Sequence, residues 1–427
     1  MNNTNRTYLI QLGLFIITFI TTSLSGADWI GYTELQRWSW EWFCSGMEYA
    51  IPFLGILTVH EFGHYFMAKY YKVDVTLPYY IPFWAPLVGT IGTFGAFIRM
   101  KSQIYSKKAM FDIGIAGPLA GFAAAVIILS YGLTHLPAKE HIYRIHPEYQ
   151  TYGNDYEKNV YTYQHLRATD SLYFEKMLQE DSTTFYALSK EEQLKDKAWK
   201  RIAFKPQESY MEMSLGNNLL FWMLTKVWVS DDNLLPNSFE LFHYPFLFAG
   251  YLALFFTALN LLPVGQLDGG HVIYGLFGHR RHKQISLTFF TVFLLLAGVG
   301  MFKDNLLGIN FFAASAIEMF LFAGAYVYFL YSMYEKVFMK EKMTAVLFAT
   351  SIFATQFLIE YIFPAWQGFN GWMVFAYLVG RFLGLEHPPA MHEESLDLKR
   401  KVLGWIALLV FVLCFTPEVF KMQLITP

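Results

Sequence analysis

Ile51-Pro52-Phe53-Leu54-Gly55-Ile56-Leu57-Thr58-Val59-His60-Glu61-Phe62-Gly63-His64 puts two unlike demands on one stretch of chain. Its first nine residues are predominantly apolar, as a membrane helix requires, and its last five read H-E-x-x-H. Residues four apart share a helix face, so the imidazoles of His60 and His64 can reach one metal ion. Glu61 stands beside them, where it can act as a general base rather than as a ligand. The bland alternative is a polar pair that holds a helix bundle together. Ionisable groups in spanning segments are costly, however, and point first to function. Chance gives only roughly 0.01 such matches in a chain of this length.

Outward from this stretch the chain stays apolar. Of 427 residues, 55% are hydrophobic, 19% aromatic and only 15% charged. Apolar segments near 8–26, 47–68, 112–134, 241–262, 285–302, 310–335, 343–363, 370–385 and 402–420 predict an α-helical multi-pass membrane protein. Most approach the ~20 residues that cross the hydrocarbon core, giving about eight to nine transmembrane helices. The 370–385 segment is short and carries Arg381, which fits a re-entrant or interfacial piece. The first segment has few charges before it and no small-residue cleavage site, so it reads as a retained helix. A net charge of -2 leaves no basic footprint, and no nucleic-acid partner is expected. With two cysteines, Cys44 and Cys414, a cysteine-based zinc site is excluded and a disulfide framework is not expected.

Basic residues set an orientation. Arg99, Lys101, Lys107 and Lys108 form one cluster, and Arg280, Arg281 and Lys283 a second. Lys336, Lys340 and Lys342 form a third, and Lys399, Arg400 and Lys401 a fourth. Counting crossings places all four on one side, which the positive-inside rule makes cytoplasmic. The expected setting is a bacterial cytoplasmic membrane, with His60 and His64 toward the cytoplasmic leaflet. By the same count the polar stretch from Leu136 to Met213 is an extracytoplasmic insertion. Ala168–Leu188 and Glu191–Ile202 within it read as helical, while His141, His146 and His165 lack ligand spacing and read as surface residues.

A catalytic metal held by two histidines needs a third protein ligand and an open position. Asp268 is the candidate, in Asn260-Leu261-Leu262-Pro263-Val264-Gly265-Gln266-Leu267-Asp268-Gly269-Gly270-His271. Pro263, Gly265, Gly269 and Gly270 break the helix, and such backbone at membrane depth must be buried or line a wet cavity. Taken alone, the same stretch also reads as a helix-ending loop with an aspartate in solvent.

Together these residues resemble the site-2 protease family of intramembrane metalloproteases. That family pairs an H-E-x-x-H helix with a later Asn-x-x-Pro-x-x-x-Leu-Asp-Gly, met here by Asn260, Pro263, Leu267, Asp268 and Gly269. Gly89-Thr90-Ile91-Gly92-Thr93-Phe94-Gly95-Ala96-Phe97-Ile98 and Ala116-Gly117-Pro118-Leu119-Ala120-Gly121 extend the likeness. The chain is similar to the branch without a PDZ domain, which includes plant plastid and bacterial members. The resemblance implies one Zn2+ per chain on His60, His64 and Asp268, with Glu61 activating water. Asn260 would hold the substrate carbonyl or the oxyanion, or else make a helix-packing hydrogen bond. It also implies a membrane-embedded β-hairpin at 89–98, whose edge pairs with an unwound substrate. A close-packed glycine face is the alternative, although the distance from Pro86 to Lys101 is short for a span.

Four regions follow: 1–134 with the H-E-x-x-H helix, 135–213 as the insertion, 214–283 with the second motif, and 284–427 as C-terminal helices. Glu318 and Glu360 lie in apolar segments, where Arg381 could pair with one of them. The function implied is zinc-dependent hydrolysis of peptide bonds in or near transmembrane segments of single-span substrates in the lipid bilayer. A catalytically silent client-binding relative and a metal transporter are the rivals. An intact Glu61 argues against the first, and the lack of visible repeats against the second. Substrate identity and oligomeric state stay open.

Overall fold

The structure is a computed structural model describing residues 3–427 apart from 86–88, 181–208, 232–233, 304–310, 312–313, 339–340, 365, 367 and 370. Three long helices open the chain: α1 (Asn3–Ile30), α2 (Trp40–Tyr70) and α3 (Lys107–Thr134). The Ser39 hydroxyl accepts the Trp42 amide at 3.0 Å and starts α2, a cap worth about 1 kcal/mol. Pro52 and Pro118 sit inside α2 and α3, as membrane helices tolerate. Between these helices the chain forms β1 (Tyr79–Pro82) and β2 (Thr93–Phe97), which pair antiparallel with Tyr79 opposite Phe97.

A polar cap follows α3. It holds two 3-10 stretches, Lys139–Arg144 and Pro147–Asp155, then α4 (Glu157–Val160) and α5 (Tyr163–Glu180). The helix expected over Ala168–Leu188 thus begins earlier, at Tyr163, and its last residues are outside the described ones. The helix expected over Glu191–Ile202 lies wholly outside them. β3 (Tyr210–Leu215) leads into α6 (Leu219–Trp228), capped by Asn218, whose side chain accepts the Phe221 amide at 2.8 Å. The boundary expected after residue 213 falls inside β3.

α7 (Pro245–Asn260) and α8 (Asp268–Ala297) flank the Pro/Gly break. The C-terminal region holds α9 (Ala316–Tyr334), α10 (Lys342–Ile362), α11 (Gly371–Leu378), α12 (Leu398–Cys414) and β4 (Phe420–Ile425). β4 pairs antiparallel with β3, Tyr210 opposite Ile425. The main apolar core lies where α2, α3 and α7 meet, with Tyr49 stacked between Phe53 and Phe248 at 5.2 and 5.3 Å.

Among the described residues, five helices are long and apolar enough to cross a membrane: α1 over Asn5–Ile30, α2, α3, α9 and α10. Pro245–Asn260, within a segment expected to span, and Gly371–Leu383, within the one read as re-entrant or interfacial, are apolar but shorter. The expected span at 285–302 is the second half of α8, which bends at Gly278.

Side-chain contacts revise two sequence expectations, the pairing of Arg381 and the surface setting of the cap histidines. Arg381 pairs with Glu335 at 3.1 Å rather than with Glu318 or Glu360. Glu318 closes a capping box with Ser315 at the start of α9. Glu360 is buried and accepts the amides of Gly300 and Phe302, at 3.0 and 3.2 Å. In the cap, His141, His146 and His165 are half-buried rather than on the open surface. His141 packs edge-on against Tyr32, and His146 stacks on Tyr149.

Candidate metal centre

His60 and His64 lie one turn apart in the C-terminal third of α2, and their Nε2 atoms are 3.1 Å apart. Asp268 opens α8, where the positive end of the helix dipole favours a carboxylate. Its Oδ2 stands 3.2 Å from His64 Nε2 and 3.6 Å from His60 Nε2. The three ligand atoms all fall within 4.8 Å of one another. His64 Nδ1 is 2.7 Å from the Ile113 carbonyl, which can only accept, so this nitrogen carries a proton and Nε2 is turned toward Asp268. A ring fixed in this way by a backbone carbonyl is oriented as metal-ligating histidines are.

The break that carries Asp268 is held by buried polar groups. The Gly265 amide donates to Ser286 Oγ at 3.0 Å, and the Gly265 carbonyl meets His282 Nε2 at 3.1 Å. Non-helical backbone at this depth is satisfied internally, as the low-dielectric setting requires.

Helix α3 supplies the opposite wall. Gly117 and Gly121, four apart on one face, back onto the two imidazoles; a Cβ on Gly121 would lie 3.1 Å from His60 Nδ1. The small-xxx-small spacing was the sequence signal for this close approach, and its link to the histidines needed the fold.

Glu61 is 5% exposed and is not one of the three converging groups. The backbone of Ile98, just past β2, hydrogen-bonds the Glu61 carboxyl group. Asn260, the last residue of α7, places Nδ2 3.3 Å from His60 Nε2. A narrow, mostly apolar cleft opens here, lined by Phe53, His60, Gly95, Phe256 and Asn260 among others.

The hairpin borders this cleft. Gly95 of β2 lines it, and Tyr80 of β1 is tied to α2 by a 2.8 Å contact between its hydroxyl and Thr58 Oγ1. The segment 89–98 therefore carries one strand, β2. Its partner, β1, lies upstream in a proline-flanked stretch that gave no strand signal. The hairpin's far end is pinned to α1 and α2: Trp29 Nε1 donates to the Thr90 carbonyl at 2.8 Å and Tyr49 to that of Ile91 at 3.1 Å. Gly92 has φ +90°, which rules out the close-packed helix face.

Two further histidines were not anticipated. His271 lies one turn beyond Asp268, and its Nδ1 is 2.7 Å from Nε2 of His387. His387, 1% exposed, stacks on Tyr274. The i,i+3 spacing from Asp268 marked His271; nothing in the sequence marked His387.

The chain is similar to known proteins. The rice (Oryza sativa subsp. japonica) probable zinc metalloprotease EGY1, chloroplastic, is 26% identical over 257 residues, 60% of this chain and 32% of the relative. Its Arabidopsis thaliana namesake is 27% identical over 236 residues, 55% of this chain and 30% of the relative. Probable zinc metalloprotease EGY2, chloroplastic, of Arabidopsis thaliana is 35% identical over 78 residues, 18% of this chain and 13% of its own. The matched part spans about a third or less of each relative's length. These chloroplast names lend no support to the bacterial setting expected from the sequence. No solved structure matches the chain. The sequence profile of peptidase family M50 matches residues 48–302, more than half of the chain and a stretch that includes His60, Glu61, His64, Asn260 and Asp268, so this protein belongs to peptidase family M50.

Proposed function

We propose that this integral membrane protein is a zinc-dependent intramembrane endopeptidase that cuts single-span membrane proteins within or near their transmembrane segments. The observation that carries this reading is the convergence of His60, His64 and Asp268 inside an apolar helix bundle, with Glu61 alongside. Two imidazoles and one carboxylate suit zinc, and the glycines of α3 leave the rings the room they need. When bound, the ion supplies a Lewis acid that polarises a carbonyl and acidifies water.

The chain's own residues do the rest. His64 is oriented by its bond to the Ile113 carbonyl. Glu61 takes a proton from the attacking water and delivers it to the nitrogen of the leaving amine. Asn260 offers an amide donor beside His60, where charge develops on the scissile carbonyl. The edge of β2 left free by β1 offers backbone groups to a substrate drawn out into a strand, reading no side chains. Four basic loop clusters favour the cytoplasmic leaflet for the metal and the opposite side for the 135–213 insertion.

The test pairs metal analysis with cleavage. Glu61→Gln should keep zinc, since all three ligands remain, and lose cleavage of a single-span substrate by about 10²- to 10⁴-fold. A wild-type protein that holds zinc but cuts no membrane peptide would favour a silent relative, and unchanged cleavage in Glu61→Gln would mean another base.

A further inference from the structure

At the opposite end of the bundle from the His60 site, where α1 ends and α7 begins, a second set of ligand-type groups comes together. His146 sits between the two 3-10 stretches of the cap, and Glu240 and His243 lie in the 3-10 turn that leads into α7. One ligand atom from each falls within 4.8 Å of the other two. Glu240 Oε2 is 3.5 Å from His243 Nε2 and 3.8 Å from His146 Nε2.

The carboxylate is only half accounted for by the protein. Glu240 is 2% exposed, and its Oε1 accepts the hydroxyl of Tyr161. Its Oε2, facing the two imidazoles, has no hydrogen-bond partner. A buried carboxylate oxygen left this way is costly unless something positive meets it.

Both imidazoles turn Nε2 toward it. His243 Nδ1 lies 2.7 Å from the Trp29 carbonyl and 3.1 Å from that of Ile30. Carbonyls only accept, so Nδ1 holds a proton and Nε2 is the nitrogen that faces Glu240. His146 is held in the same sense: its Nδ1 is 3.3 Å from Glu148 Oε1, and its Nε2 faces Glu240. A far nitrogen tied to a carbonyl or carboxylate, with the near nitrogen left free, is how metal-binding histidines are oriented.

The separations fit a metal better than a hydrogen-bonded ion pair. A charge-assisted imidazolium–carboxylate bond would close to about 2.7–2.9 Å. Ligands held about 2.0–2.1 Å from a tetrahedral ion stand about 3.3 Å apart. The observed 3.5 and 3.8 Å lie nearer the second value. Two nitrogens and one oxygen select a borderline cation such as zinc over calcium or magnesium, which take oxygen.

We propose that His146, Glu240 and His243 form a second divalent transition-metal site of the zinc class, which ties the cap to the end of α1 and the entry of α7. Its role is structural. The ligands join segments nearly a hundred residues apart, and Tyr149, part of the apolar cluster that holds Tyr32 and Tyr156, stacks on His146 at 4.5 Å. The proposal is independent of the first centre's activity.

The test uses the full chain, freed of any affinity tag, in detergent. Zinc is loaded, excess removed, and metal per chain measured by plasma mass spectrometry. Wild type should hold about two ions, and a His60→Ala/His64→Ala chain about one. Adding His243→Ala or the milder His146→Gln to that chain should bring the content close to zero. Zinc should also raise the melting temperature of the His60→Ala/His64→Ala chain by several degrees, with no rise once His146→Gln is added. An empty His60→Ala/His64→Ala chain, or one whose content both added substitutions leave unchanged, overturns the proposal. A wild-type content of one that vanishes with His146→Gln, but not with His60→Ala/His64→Ala, supports it and counts against the first centre alone.

Discussion

Gly117 of α3 faces the His64 imidazole so closely that a Cβ there would stand 2.1 Å from Nε2. No rotamer of a larger residue can fill that space while the ring keeps its place, so α3 is as much a part of the centre as the helix that carries the ligands.

Gly117→Ala should therefore displace His64. Overpacking of this kind costs about 1–3 kcal/mol, which predicts roughly a 10- to 100-fold loss of zinc affinity with a matching loss of cleavage. Gly55→Ala on α2, where a Cβ would meet nothing within 4 Å, should change neither. Metal titration of both variants checks the contrast, and equal affinity in the two would remove Gly117 from the site.

Gly92→Ala tests the hairpin separately from the metal. A Cβ there would fall 2.3 Å from Thr22 Cα, on a residue with φ +90°. Strain of about 1–3 kcal/mol should loosen the turn and lower cleavage at least about tenfold. Zinc content should stay near wild type. Loss of zinc and cleavage together would mean that the hairpin and the centre are one unit.

Asn260→Ala distinguishes oxyanion stabilisation from packing. If its amide serves the reacting carbonyl, kcat should fall by about 10²- to 10³-fold with KM little changed. Zinc occupancy should hold, because Asn260 is outside the three-ligand group. A fall in occupancy at unchanged kcat per bound zinc would assign Asn260 to orienting His60, its neighbour at 3.3 Å.

Arg400 is expected to matter for stability alone. It binds Asp112 of α3 at 2.7 Å and the Tyr71 hydroxyl at 3.1 Å, joining α12 to the ends of the two site-bearing helices. Arg400→Ala should cost about 1.5–3 kcal/mol and lower the melting temperature in detergent by several degrees. Arg400→Lys should recover only part of it, because an ammonium cannot span both oxygens of Asp112. Full recovery with lysine would reduce the contact to plain charge.

The centre was legible to the degree that its chemistry is local. His60, Glu61 and His64 are set by helical spacing, and Asp268 stood out as a carboxylate next to a helix break. What escaped depends on contacts between distant parts of the chain. The strand Tyr79–Pro82 has prolines at and near its ends and no alternation, and it is a strand because β2 lies beside it. Arg381 met Glu335, which lies at the end of a helix, and not the glutamates inside the apolar segments. His146 carried no spacing signal because Glu240 and His243, its neighbours in space, come after the whole insertion.

The β3–β4 pair has a consequence for how the protein is made. β4 follows the other described elements, and its partner β3 lies before the seven helices α6 to α12. While those helices are being synthesised and inserted, β3 has an open edge, and unpaired edges invite foreign strands. The β3–β4 pair can therefore close only after His60, His64 and Asp268 have all been made, and a ribosome that stalls before Phe420 leaves those three residues present and the β3 edge unpaired.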